Sequence, residues 1–270
     1  DPVAFWSHTT AMAPSDARAS GHLAAALMRR GDLPEAVVHL KKTLELDETL
    51  SDAHLNLAAI SAYLGDDETA VDAYNKALEI RGEDPLVLVP YASYFLGRGK
   101  FDTAEFLLRQ GLDNSPGHAG LLNQMGRLYQ GRQKPDEARK MFERAIASDP
   151  GFADAYDNLG QLFFDQGRTA DAVAAMEQAV RLDPSKVARN YNLGYAYEKS
   201  GRFAEAAAQY ERVLTTDPTD ADVLYRTGFL LAGKLGRIAD GMEMLRRALK
   251  AAPEDARAKY AKGVLERLAE

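Results

Sequence analysis

Residues 153–186 read ADAYDNLGQLFFDQGRTADAVAAMEQAVRLDPSK. Tyr156, Leu159, Leu162 and Phe163 recur at intervals of three and four, which puts them on one stripe of a helix. Gln166-Gly167-Arg168 breaks that pattern, and glycine readily takes the positive φ that follows a helix end. A second helical pattern starts near Thr169 and carries Ala172, Val173, Met176, Ala179 and Val180. Asp183-Pro184 stops it, because proline disfavours helix in the residue before it and has no N–H to continue the ladder. The stretch therefore predicts two short amphipathic helices joined by a tight turn. One such pair cannot bury its own apolar stripe; stacked pairs can.

The same text recurs every 34 residues. Asp149-Pro150, Asp183-Pro184 and Asp217-Pro218 fall on one grid, with Pro116 one period earlier, Pro14 three periods before that, and Pro253 one residue late. Small residues keep step at Ala138, Ala172 and Ala206, and again at Ala145, Ala179 and Ala248. So do the pairs Met125-Gly126, Leu159-Gly160 and Leu193-Gly194, each followed three residues on by Tyr129, Phe163 or Tyr197.

These positions resemble the tetratricopeptide repeat, a 34-residue helix–turn–helix unit with the pattern W-x2-L-G-x2-Y, then A-x3-F, then P. The resemblance implies an all-α fold, an α-solenoid of stacked helix pairs winding as a right-handed superhelix. On that grid residues 1–16 are a partial repeat, with Trp6 and Pro14 where a second helix carries its aromatic and its proline. Seven units follow at 17–50, 51–84, 85–118, 119–152, 153–186, 187–220 and 221–255, and 256–270 forms a capping helix. No domain boundary is expected inside the array. Irregular stacking is expected at Pro90, inside the first helix of 85–118, and around Gly233-Lys234-Leu235-Gly236, where 221–255 gains a residue and has Gly241 in place of alanine. The cap is expected to have a polar face of Arg257, Lys259, Lys262 and Arg267 and an apolar face of Tyr260, Val264, Leu265 and Leu268.

Composition narrows the function. The 270 residues are 27% charged and 46% hydrophobic, carry a net charge of −7 and include no cysteine. An acidic chain without a lysine-rich run is not expected to bind nucleic acid, which rewards a basic surplus. The absence of cysteine removes thiolate catalysis and the common zinc sites and suits either a cytoplasmic or an exported location. The longest apolar run, residues 86–96, is too short for a span of about 20 residues. The chain starts at Asp1 without a charged-then-apolar leader and is expected to be a mature or excised segment. Its five histidines do not gather with carboxylates at ligand spacing, so neither metal, cofactor nor enzymatic activity is expected. Charge varies along the array: 51–84 sums to −6 and 119–152 to +2.

In tetratricopeptide arrays the first helices line a concave groove that takes an extended peptide or a partner helix, and positions two, five, six, nine, twelve and thirteen of each unit face it. The resemblance carries the sixth position onto Asn56, Gln124, Asn158, Asn192 and Arg226. Amides offer both donors and acceptors and can hold a peptide backbone without reading its sequence. Such a row is similar to that of O-linked N-acetylglucosamine transferases, with His22 and Pro90 as interruptions. The fifth and ninth positions hold Asn123, Arg127 and Gln161, then the aromatics Tyr191, Tyr195, Tyr225 and Phe229, with Tyr260 on the terminal helix, a residue type enriched among binding anchors. A two-carboxylate clamp is not expected, since Ala188 and Asn192 depart from its basic positions. These features point to a scaffold that binds a protein partner in its groove. A second reading is a substrate-recruiting or regulatory region of a larger enzyme: Phe5-Trp6, Pro14 and Ala17-Arg18-Ala19 resemble the start of the soluble repeat tail of some membrane glycosyltransferases. Self-assembly through the array ends, giving a homo-oligomer, is a third.

Overall fold

A computed structural model describes residues 1–269. Among them are sixteen α-helices and no strand. The chain divides into two compact units, Asp1–Lys134 and Pro135–Glu270. The division falls inside 119–152, at a place the 34-residue grid does not distinguish.

The first unit contains α1 (Pro2–Met12), α2 (Ala17–Arg30), α3 (Leu33–Leu46), α4 (Ser51–Leu64), α5 (Asp67–Arg81), α6 (Pro85–Gly97), α7 (Phe101–Asn114) and α8 (Ala119–Gly131). The second contains α9 (Pro135–Ser148), α10 (Ala153–Asp165), α11 (Thr169–Leu182), α12 (Val187–Lys199), α13 (Phe203–Thr216), α14 (Ala221–Gly233), α15 (Ile238–Ala251) and α16 (Ala258–Ala269). The even-numbered helices from α2 to α14 are the first helices of the repeats, and α2, α4, α6, α10, α12 and α14 each pack against the helix that follows.

Local chemistry sets the helix ends. Asp16, Asp66, Asp84 and Asp220 each accept a backbone N–H of the first turn of the helix that follows, filling donors left open there. The aspartates of the Asp-Pro pairs that end a repeat have a different task. Asp149, Asp183 and Asp217 accept the N–H two residues on, from Gly151, Ser185 and Thr219 at 2.9, 3.2 and 2.9 Å. The side chain shapes the turn that proline forces. Asp47 does the same for Thr49 without a following proline.

Pro90 sits inside α6, which begins at Pro85 and runs unbroken to Gly97. The Leu86 carbonyl therefore loses its helical donor. Beside it Tyr74 stacks on Tyr91 at 4.6 Å, and the Tyr91 hydroxyl donates to Asn75 at 2.8 Å. At the other end of the unit Trp6 of α1 stacks on His22 of α2, ring centroids 4.4 Å apart.

The small residues mark where two helices nearly touch. A Cβ on Gly160 would lie 2.7 Å from Met176 Cγ, on Gly194 2.8 Å from the Tyr210 ring, and on Gly228 2.8 Å from Leu245. The alanines opposite, Ala172 and Ala206, are fully buried. Gly241 is the extreme case: a Cβ there would stand 2.6 Å from the Ala232 backbone nitrogen and 2.8 Å from the Gly228 carbonyl. Glycine replaces alanine because α14 and α15 approach too closely for a methyl group.

The turn between the two helices of a repeat holds a glycine with positive φ at Gly31, Gly65, Gly99, Gly167 and Gly201, and one residue later at Gly236. The late glycine absorbs the extra residue of 221–255. At the corresponding place in 119–152 stands Gln133, with φ of 58°. It is the one non-glycine among the described residues in that region. A side chain there costs about 1–2 kcal/mol.

The terminal helix packs through small residues. Ala258 and Ala261 are buried, and Val264 and Leu265 are partly buried against the same core. Tyr260, on the same helix, is 61% exposed.

Two substitutions test this account. Gln133→Gly should stabilise by about 0.5–1 kcal/mol, the relieved strain outweighing the extra freedom of glycine in the unfolded chain. Gly194→Ala should destabilise by about 1–3 kcal/mol, because the Tyr210 ring must move. Urea unfolding followed by circular dichroism reads both.

Candidate functional site

The second unit gathers aromatic and charged side chains along the faces of α10, α12, α14 and α16. Phe164 of α10 lies against Tyr195 of α12, with centroids 5.4 Å apart. The Arg226 guanidinium of α14 sits 4.9 Å from the Tyr195 ring centroid, and Lys199 Nζ 5.1 Å from it. Phe229 lies 5.2 Å from Tyr260 of α16.

Asp222 ties these elements together. Its Oδ2 accepts the Tyr191 hydroxyl at 2.8 Å and Arg226 Nε at 2.9 Å, and its Oδ1 accepts Arg257 at 2.6 Å. Arg226 also donates to Glu198 at 3.2 Å. The same Glu198 oxygen accepts the hydroxyl of Tyr210 at 2.9 Å, and the Tyr210 side chain is otherwise fully buried in the core. Arg257 is further paired with Asp255 at 2.8 Å. The network thus connects α12, α14 and the approach to α16 through charge-assisted hydrogen bonds, which are stronger than neutral ones.

The electrostatics follow from this geometry. Burial raises the Asp222 carboxyl, but the donors Tyr191, Arg226 and Arg257 outweigh it and hold it below the usual range. Burial pushes the Tyr191 and Tyr210 hydroxyls up, and the carboxylates that accept their protons add to the effect. Arg257 holds Asp255 down to about 2.

A second tie joins α10 to α12. Arg189, 3% exposed, pairs with Asp154 and Asp183. Asp157 lies 3.8 Å from Arg189 Nε. Burial raises the Asp157 carboxyl, with Arg189 opposing only in part.

The residues expected at the groove separate into three groups. Tyr191, Tyr195, Arg226 and Phe229 do come together, as described. Tyr225 does not join them: it is 0% exposed, its hydroxyl donates to the Ala252 carbonyl at 3.1 Å, and it belongs to the core. The fifth position of α14 points inward because Arg257 covers that ring, 4.8 Å from its centroid. The amides lie apart from the cluster. Asn158 is half-buried on α10, Gln161 donates within its own helix to Asp165 at 2.7 Å, and Asn192 is hydrogen-bonded to Asp157.

In the first unit Asn56 is half-buried on α4. Asn123 and Gln124 are 4% and 8% exposed, too covered to present a row of amides. Arg127 donates to Gln124 at 2.8 Å and to Ser93 at 3.1 Å.

Sequence reasoning missed Asp222, Phe164, Glu198 and Lys199. They occupy the second, twelfth and thirteenth positions of their units, so a complete reading of the positional pattern would have found them. Arg257, Lys234 and Phe203 lie outside the pattern and had no such signal. Tyr63 of α4, at a thirteenth position, is also exposed and borders a cavity of about 360 Å3 with Pro90 and Tyr94.

Asp222→Asn checks the network. At pH 7 it should lower stability by about 1 kcal/mol, since one charged acceptor serving three donors is lost. The carboxylate is depressed on folding, so its contribution is present above about pH 4 and disappears as pH falls through the folded value. Thermal melts of the two proteins should therefore differ at pH 7, and the difference should shrink as the pH falls below about 4.

Among the described residues no group of three His, Asp or Glu side chains is placed to hold a metal ion, and no helix is long and apolar enough to cross a membrane. Sequence models of the tetratricopeptide repeat match residues 15–83, 123–187, 158–221 and 199–265. No curated protein matches the sequence. Among solved structures, the chain is similar to YrrB, described as a TPR protein with an unusual peptide-binding site, at 25% identity and a TM-score of 0.56, over 71% of this chain and 98% of that one. It is also similar to MamA, at 23% identity and a TM-score of 0.53 over 66% of this chain and 96% of that one. The third is yeast Tom70, at 15% identity and a TM-score of 0.74 over 99% of this chain and 58% of that one. Because the repeat models together match well over half of the chain, it belongs to the tetratricopeptide repeat family.

Proposed function

We propose that the chain is a non-catalytic interaction scaffold whose second unit holds a segment of a partner protein against the first-helix faces of α10, α12 and α14 and the adjoining α16. The observation that carries this reading is the Tyr195 neighbourhood. A half-exposed ring with Phe164 beside it and two cations over it is anchored on rigid helices, with Tyr260 exposed further along. Such rings offer large contact area at small entropic cost, and aromatic and arginine side chains supply most of the energy at protein interfaces. The network around Asp222 holds Arg226 in place before any partner arrives, which lowers the ordering cost of binding. That YrrB is described as peptide-binding supports the same reading.

Tyr195 is the residue to substitute, because Tyr191 is tied to Asp222 and packs on Tyr210 and would cost stability as well. On an array of random twelve-residue peptides with blocked ends, the fluorescently labelled chain should mark a reproducible subset. Tyr195→Ala combined with Tyr260→Ala should reduce those signals at least tenfold while moving the melting temperature by only a few degrees. Undiminished signals would overturn the placement of the site, and an array on which no peptide is marked would overturn peptide binding.

A further inference from the structure

We infer that the segment held by the second unit presents a carboxylate side chain next to an aliphatic or aromatic one, seated between the C-terminal ends of α12 and α14. This rests on the function proposed above and adds the chemistry of the ligand. A cavity of about 430 Å3 opens there. Its cations are of two kinds. Arg226 and Arg257 are committed, being paired with Asp222, Glu198 and Asp255. Lys199 and Lys234 form no ion pair among the described residues. Their ammonium groups lie over rings instead, Lys199 5.1 Å from the centroid of Tyr195 and Lys234 5.5 Å from that of Phe203.

Each lysine stands at the C-terminal end of a helix, α12 or α14. The backbone dipole favours a cation at such an end. It accounts for each lysine singly but not for both bordering one cavity. The rest of the lining is Phe203, Phe229 and Leu230, with Glu198, whose carboxylate already accepts from Arg226 and Tyr210. A carboxylate between two ammonium groups at the edge of a low-dielectric wall interacts more strongly than it would in open water. The hydrocarbon of a neighbouring residue fills the wall.

Charge over a wider range agrees. Residues 221–270 contain ten Lys and Arg against seven Asp and Glu, in a chain whose net charge is −7. A nucleic acid would draw on many free cations, arginine above all. Here the arginines of the cavity are already paired, so an acidic peptide segment fits better than a phosphate backbone.

The test uses the full chain and fluorescence anisotropy. Three pools of twelve-residue peptides with blocked ends combine Leu, Phe and Gly with Glu, Gln or Lys, and oligouridylate is the fourth probe. The Glu pool should bind at least tenfold more tightly than the Gln pool, more weakly in high salt, and the Lys pool least of all. Lys199→Glu with Lys234→Glu should erase the preference for the Glu pool. Lys199→Gln with Lys234→Gln should reduce it, with the circular dichroism spectrum unchanged in both.

Equal binding of the Glu and Gln pools, or a preference that survives the double charge reversal, overturns the inference while leaving the peptide-binding function standing. No binding by any pool overturns that function itself. Tighter binding of oligouridylate than of every pool, lost in the lysine variants, assigns the cavity to nucleic acid and overturns the inference as well.

Discussion

The fold depends on how closely the two helices of a repeat can approach. At the eighth position of the first helix, Gly160, Gly194 and Gly228 leave no room for another atom beside Met176, Tyr210 and Leu245. The partner residue fills the space that a side chain would take, and the opposing alanines are buried completely. Protein interiors are packed to the density of organic crystals, so a single methyl group at such a contact is felt. Once the pair is fixed, its outer stripe has one direction in which to be buried, and the next pair supplies the surface. The period of 34 residues is the period of this contact.

What the close contact leaves free is the face of the first helices. Along α10, α12 and α14 that face is neither a smooth apolar strip nor a row of unconnected charges. Buried or half-buried arginines tie one repeat to the one before it: Arg189 pairs with Asp154 and Asp183 of the preceding repeat, and Arg226 links Asp222 of its own repeat to Glu198 of the preceding one. Exposed single pairs contribute little. These are shared acceptors in a partly desolvated network, and removing one member leaves several donors without a partner. The network also fixes which rings remain available. Arg257 covers Tyr225, whereas Tyr195 and Tyr260 keep part of their surface exposed.

The sequence was legible wherever a residue answers to a local rule. The Asp-Pro stops, the turn glycines and the small residues at the helix contact each have a physical cause within one repeat, so their spacing revealed the helix pairs. The candidate site was legible only in part. Tyr191, Tyr195, Arg226 and Phe229 were found by position, but Tyr225 shares that position and is buried. What distinguishes it is Arg257, which reaches it from beyond the repeat. The burial of Asn123 and Gln124 was illegible for the same reason: it depends on neighbouring helices and not on their own stripe. Gln133 was invisible as an exception until the turn glycines of the other repeats showed which backbone conformation it adopts.

The stacking of Trp6 on His22 also determines how the molecule can be observed. Trp6 is the single tryptophan of the chain, and it lies at the start of the first unit. Indole emission therefore reports on the packing of α1 against α2 and is blind to the second unit. There the tyrosines dominate, with the Tyr210 hydroxyl on Glu198 and the Tyr191 hydroxyl on Asp222. Tyr74 and Tyr91 stack in the first unit as well, so tyrosine absorbance reports on both units and indole emission on one. If the units lose their structure at different denaturant concentrations, tryptophan fluorescence will follow the first alone, where tyrosine absorbance and circular dichroism give composites.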